Sequence, residues 1–77
     1  MGTHIYFNLK VIRLLKGISI ETVATKVNFS EGHYRKIENG EMDIKVSKLI
    51  EIIKALRTKP DLVFGPALSV LFSKIED

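Results

Sequence analysis

Residues 28–40 read NFSEGHYRKIENG, and the fold turns on whether they form a short amphipathic helix closed by a glycine. Ser30 is the residue type that caps a helix N-terminus, because its side-chain oxygen accepts from a backbone N–H two or three positions on. Tyr34 and Ile37 then fall three apart and face inward together. Gly40 supplies the left-handed residue that ends such a helix. The first helical positions are Glu31 and Gly32, an acid and a helix breaker at what would be the tip of a reading helix.

Working upstream, Ser19 caps the segment IETVATKV, where Val23, Ala24 and Val27 recur at helical spacing and give one apolar face. Asn28 tolerates positive φ and makes the bend. Two short helices separated only by NFS, the second amphipathic and partly basic, are the helix-turn-helix arrangement. Ala24 lets them approach closely, and Phe29 is expected to plug the core beneath the bend.

The first segment runs from about Asn8 to Lys16. Asn8 is its candidate N-cap, and Phe7 and Ile12 are placed as a hydrophobic staple. A start nearer Thr3 is the alternative, and Ile5 to Phe7 could add a short strand. Gly17 closes the helix. Downstream, Val46, Leu49, Ile50, Ile52, Ile53 and Leu56 make a stripe of period 3.6 over residues 46–56. A C-terminal helix is expected within residues 60–77. Pro66 stands at its first turn, with Ala67, Val70, Leu71 and Ile75 on one side.

The chain has 77 residues, one domain's worth, and 45% of them are apolar, which favours a folded core over disorder. Without cysteine there is no disulfide framework, and no apolar run exceeds three residues, so no membrane span is expected. The N-terminus lacks the basic-then-apolar order of a signal peptide, and Tyr6 stands where a myristoylation motif wants Ser or Thr. The expected location is cytoplasmic. The net charge is +3, unevenly placed. Lys10, Arg13 and Lys16 make the first helix basic. Across residues 30–48, Arg35, Lys36, Lys45 and Lys48 are matched by Glu31, Glu38, Glu41 and Asp43. The excess positive charge therefore lies beside the reading segment, not on it.

Taken together, IRLLKGIS, VATKVNFSEGHYRKIENG and LIEIIKAL resemble the phage Cro/repressor-type, or XRE-like, helix-turn-helix family across roughly residues 9–56. The resemblance implies an all-α, compact five-helix lambda-repressor-like domain that dimerises and places its third helix in the DNA major groove. It also implies that Arg13 pairs with Glu38, a match suited to the planar guanidinium. The chain departs from the family at four places. Ile20 replaces the glutamine that usually opens helix two, and Asn28 replaces the turn glycine. Glu41, with Met42 and Asp43, follows the ENG run where a basic residue is common. Glu31 and Gly32 open helix three.

The candidate base readers are Glu31, Gly32, His33 and Lys36. Lys36 can donate to guanine, and Glu31 can accept from the cytosine amino group or repel phosphate. Phosphate-contact candidates are Lys26, Arg35, Lys45 and Lys48, the hydroxyls of Ser19, Thr22 and Ser30, and the amide of Asn39. His4 and His33 lack further ligands for a metal, so neither metal nor cofactor is expected. No nucleophile–base pair stands out, and the chain reads as a binding protein rather than an enzyme.

Nine apolar residues crowd the fourteen of LVFGPALSVLFSKI. Leu62 and Phe64 are expected in the core, with Val70, Leu71, Phe72 and Ile75 at a homodimer interface. Two functions follow from the sequence. The first is a homodimeric, sequence-specific transcriptional regulator on double-stranded DNA. The second is a module of the same fold that binds a protein partner, as an antitoxin does, motivated by the neutral 30–48 segment and its acids.

Overall fold

Ser19 and Ser30 start two helices by the same device. In the computed structural model, which describes residues 2–65, the Ser19 Oγ accepts from the Thr22 N–H at 3.0 Å and the Ser30 Oγ from the His33 N–H at 3.1 Å. These caps open α2 (Ile20–Lys26) and α3 (Glu31–Glu38). Around them lie α1 (Gly2–Leu15), α4 (Val46–Ala55) and the short α5 (Pro60–Phe64). No strand occurs among the described residues, and Ile5 to Phe7 are helical.

Helices α1 to α4 all stop in one way. A residue of positive φ follows each, at Gly17, Asn28, Gly40 and Arg57. The next N–H then reaches back to the carbonyl five residues earlier: Ile18 to Arg13 at 3.0 Å, Phe29 to Ala24 at 2.9 Å, Glu41 to Lys36 at 2.9 Å and Thr58 to Ile53 at 3.2 Å. This pattern satisfies carbonyls that a helix end otherwise leaves open. Three of the four positions hold the residue types that the conformation favours. Arg57 does not.

The core gathers Leu9 and Ile12 of α1, Val23, Ala24 and Val27 around α2, Tyr34 and Ile37 of α3, and Leu49, Ile52 and Ile53 of α4 with its C-cap Leu56. Phe29 is only half-buried and packs against this core from its edge. On α4, Val46 is 71% and Ile50 46% exposed, so the apolar stripe is wider than the face the domain buries.

Asn8 is no N-cap. Helix α1 begins at Gly2, and Asn8 is wholly buried in its middle. Its Nδ2 donates toward the carbonyls of Val63 at 3.0 Å, Leu62 at 3.3 Å and Gly65 at 3.4 Å. A polar side chain inside the fold needs such partners, and the end of α5 needs donors. The expected staple is absent too, because Phe7 turns outward while Ile12 turns in.

A short helix precedes the expected C-terminal one: Pro60 takes a first-turn position, and this helix ends at Phe64 with Gly65 in an extended conformation. The helix expected to open at Pro66 lies outside the described residues. Val63 is the buried residue, whereas Leu62 and Phe64 are exposed. A five-residue helix offers one inward position, and Val63 fills it. Ala67 and the expected interface residues Val70, Leu71, Phe72 and Ile75 lie outside the described residues.

Candidate nucleic-acid interface

Helix α3 is fixed from beneath by a buried ion pair. The Arg13 Nε donates to Glu38 Oε2 at 2.7 Å and its Nη2 to Oε1 at 3.1 Å, with side-chain exposures of 9% and 2%. The remaining nitrogen, Nη1, donates to the Ile18 carbonyl at 3.0 Å. One guanidinium thus joins α1, the turn after it and the last residue of α3. Two parallel bonds fix the rotation of α3 as well as its distance.

Tyr34, also wholly buried, is the aromatic part of the same support. Its hydroxyl has no hydrogen-bond partner of good geometry. Burial, reinforced by the nearby Glu38 carboxylate, raises its pKa beyond the ordinary tyrosine range. The phenol stays neutral in the folded protein.

With Tyr34, Ile37 and Glu38 turned in, α3 presents Gly32, Arg35, Lys36 and Asn39 outward, and Glu31 stands exposed at its start. Arg35 and Lys36 make no hydrogen bond or ion pair with other described side chains, so both cations face solvent. A Cβ built on Gly32 meets nothing within 4 Å. Packing inside the domain therefore does not require glycine there. His33 is half-buried and stacks on Phe29, with ring centroids 4.3 Å apart. It belongs to the shoulder of α3 and not to its outward face.

The flanking candidates divide. The Ser19 and Ser30 hydroxyl oxygens act as cap acceptors, which leaves each a proton to donate. Ser19 Oγ and Thr22 Oγ1 also lie 2.8 Å apart. Lys26 ends α2 and Lys45 precedes α4, both exposed. Lys48 does not stand free as a phosphate contact. Its Nζ donates to the Val27 carbonyl at 3.0 Å, pairs with Glu51 at 3.3 Å and sits 5.1 Å above the Phe29 ring. Its long stem reaches back over the bend and holds α4 to the end of α2. The Asn39 amide donates to Glu41 at 3.3 Å, and Tyr6 donates to Asp43 at 3.4 Å. The two acids after α3 are thereby held at its C-terminal end, away from the Glu31 tip.

Sequence reasoning missed Asn8 as a tie to α5, and Arg57 as a left-handed helix end. Neither carries a local signal, since each role depends on a partner or a backbone angle set elsewhere. Among the described residues no group of three metal-ligating side chains occurs, and no helix is long and apolar enough to cross a membrane.

Two short capped helices set across a tight bend, the second pinned below and bare and polar above, define a DNA-binding transcription regulator of the helix-turn-helix class. The chain belongs to the helix-turn-helix family, in its XRE-type branch, which it matches over residues 9–63. It is similar to the restriction-modification controller protein C.Esp1396I, with 26% identity and a TM-score of 0.73 over 99% of this chain and 95% of that one. A second structure of that controller is described as a tetramer in complex with its natural 35-base-pair operator. It matches with 26% identity and a TM-score of 0.72, again over 99% and 95% of the two chains. A single-residue mutant of the controller matches at 27% identity and a TM-score of 0.74, over 97% and 92%. No protein of curated function matches the sequence significantly.

Proposed function

We propose that this protein is an operator-binding regulator that acts as a homodimer and reads a two-fold site with α3 in successive major grooves, about 34 Å apart. The observation that carries the reading is the division of α3 into a face locked by Arg13 and Glu38 and a face of Gly32, Arg35, Lys36 and Asn39 turned to solvent. Lys36 supplies a donor for guanine edges. Ser19, Thr22, Ser30 and Lys45 supply phosphate contacts that set register without reading sequence.

The likeness to C.Esp1396I supports an operator-bound assembly of more than one copy. Exposed Val46 and Ile50 on α4, with Leu62 and Phe64 on α5, are the described apolar residues that suit a partner copy. The protein acts by occupancy in the cytoplasm and catalyses nothing.

The test is selection of a duplex from a random pool, followed by binding titrations at several salt concentrations and sedimentation of the free protein. A selected two-fold consensus and a dimer mass are expected. Lys36→Ala should weaken binding to that consensus by about 1–3 kcal/mol and relax one base-pair position. An equal loss on random and selected duplex would reassign Lys36 to phosphate. Absence of binding at low salt would remove the DNA reading and leave the protein-partner function.

A further inference from the structure

The cations of this domain do not gather on α3. Exposed Lys16, Lys54, Arg57 and Lys59 stand where α1 and α4 end. The Lys16 ammonium donates to the Arg57 carbonyl and joins the two ends, and Lys59 follows as the N-cap residue of α5. The nearest acids in sequence are Glu21 in the first turn of α2, Glu51, which pairs with Lys48, and Asp61.

Favourable interaction with helix dipoles accounts for Lys16 and Lys54, which sit at helix C-termini. It does not account for Arg57. That residue lies past the end of α4 at φ +54, while the equivalent positions after α1, α2 and α3 hold Gly17, Asn28 and Gly40. An arginine there is held in a conformation that glycine would adopt freely. Its guanidinium makes no hydrogen bond or ion pair among the described residues, so none of them offsets that choice. Unfavourable backbone geometry kept without an internal reason points to an external one. The cluster also adjoins the start of α2, since Lys16 and Ser19 bracket the turn at Gly17.

The geometry points to a second contact surface, in which Lys16, Arg57 and Lys59 form a shelf for the phosphates of DNA lying outside the base pairs that α3 reads. It rests on the DNA-binding reading above and adds to it a flanking footprint without sequence preference. Guanidinium and ammonium groups suit phosphate oxygens, and such contacts raise affinity without specifying bases. The shelf places positive charge where the neutral 30–48 segment places none.

The test uses the duplex selected by the full-length protein, once with long flanks and once trimmed to the selected consensus. Binding is titrated against salt for the wild type and for Arg57→Gly, Lys59→Gln and Arg57→Lys. On the flanked duplex, Arg57→Gly and Lys59→Gln should each lower the log–log salt slope by about 0.9, and Arg57→Lys should preserve it. On the trimmed duplex all four slopes should agree. Arg57→Gly should raise the melting temperature while it weakens flanked binding, an opposition that a purely structural residue would not give. Slopes that match the wild type on the flanked duplex would overturn the shelf, as would equal losses on both duplexes. Failure of the wild type to select any duplex would instead overturn the DNA reading itself, before any variant is made.

Discussion

Helices α3 and α4 are both amphipathic, yet each of their faces is made differently. The inward face of α4 is aliphatic, with Leu49, Ile52, Ile53 and Leu56, whereas that of α3 combines Ile37 with a tyrosine and an ion-paired carboxylate. Outward, α4 carries Val46 and Ile50 while α3 carries glycine, cations and an amide. Aliphatic contacts are non-directional and allow a helix to settle into whatever position packs best. A bidentate ion pair allows far less, because two bonds define an orientation. Helix α3 is held to α1 by the directional contact, whereas the inward face of α4 is held by the non-directional one, with Lys48 adding a hydrogen bond to the Val27 carbonyl.

The comparison breaks most visibly at Arg13. Arg13→Met leaves Glu38 buried and unpaired, so the domain should lose about 3–5 kcal/mol in a denaturant titration. A loss below about 0.5 kcal/mol would mean that the inward face of α3 is held by packing alone, as that of α4 is. A smaller effect is expected at the outward tip. Gly32→Ala adds a methyl group that meets nothing within the domain and should stabilise the free protein by up to about 1 kcal/mol. If the α3 backbone approaches DNA there, the same change should weaken operator binding. Improvement of both stability and affinity would show that the glycine serves no close approach.

The smallest change sharpens the inward face. Tyr34→Phe removes a buried hydroxyl without a partner, so stability at neutral pH should shift by less than about 1 kcal/mol. The pH dependence carries the information. The unfolded phenol titrates near 10.0 and the folded one higher. Its contribution is therefore complete below pH 10 and lost as pH rises above that value, where only the unfolded chain ionises. Chemical unfolding between neutral and strongly alkaline pH should show a decline in the wild type that Tyr34→Phe reduces.

Most of the helix-turn-helix was legible because its signals are local. Ser19, Ser30, Gly17, Asn28 and Gly40 each act through their own side chain or backbone angle within a few residues, and all five take the expected roles. Arg13 and Glu38 are 25 positions apart, and only the family resemblance brought them together. Asn8 misled because asparagine caps a helix start or, inside a helix, reaches a neighbouring carbonyl, and only the neighbour decides. Lys48 reads as a phosphate contact for the related reason that its charge lies a long stem away from its backbone. Leu62, Val63 and Phe64 are all apolar, so composition could not say which of the three turns inward. Arg57 carries no sign of left-handed geometry at all. The outward face of α3 was visible in the sequence, and the gathering of Lys16, Arg57 and Lys59 was not.

The Asn8 amide has a consequence for how the domain opens. Helix α5 has five residues, too few to persist alone, and its C-cap, Gly65, is extended. Its last carbonyls are met by a side chain of α1, and Val63 is its only buried residue. Such a segment can detach while the remainder keeps its core and its ion pair. In hydrogen exchange α5 should therefore behave as a separate low-energy opening unit, its amides exchanging well ahead of those of Tyr34 and Ile37. Helix α3 would be among the last of the described parts to let solvent in.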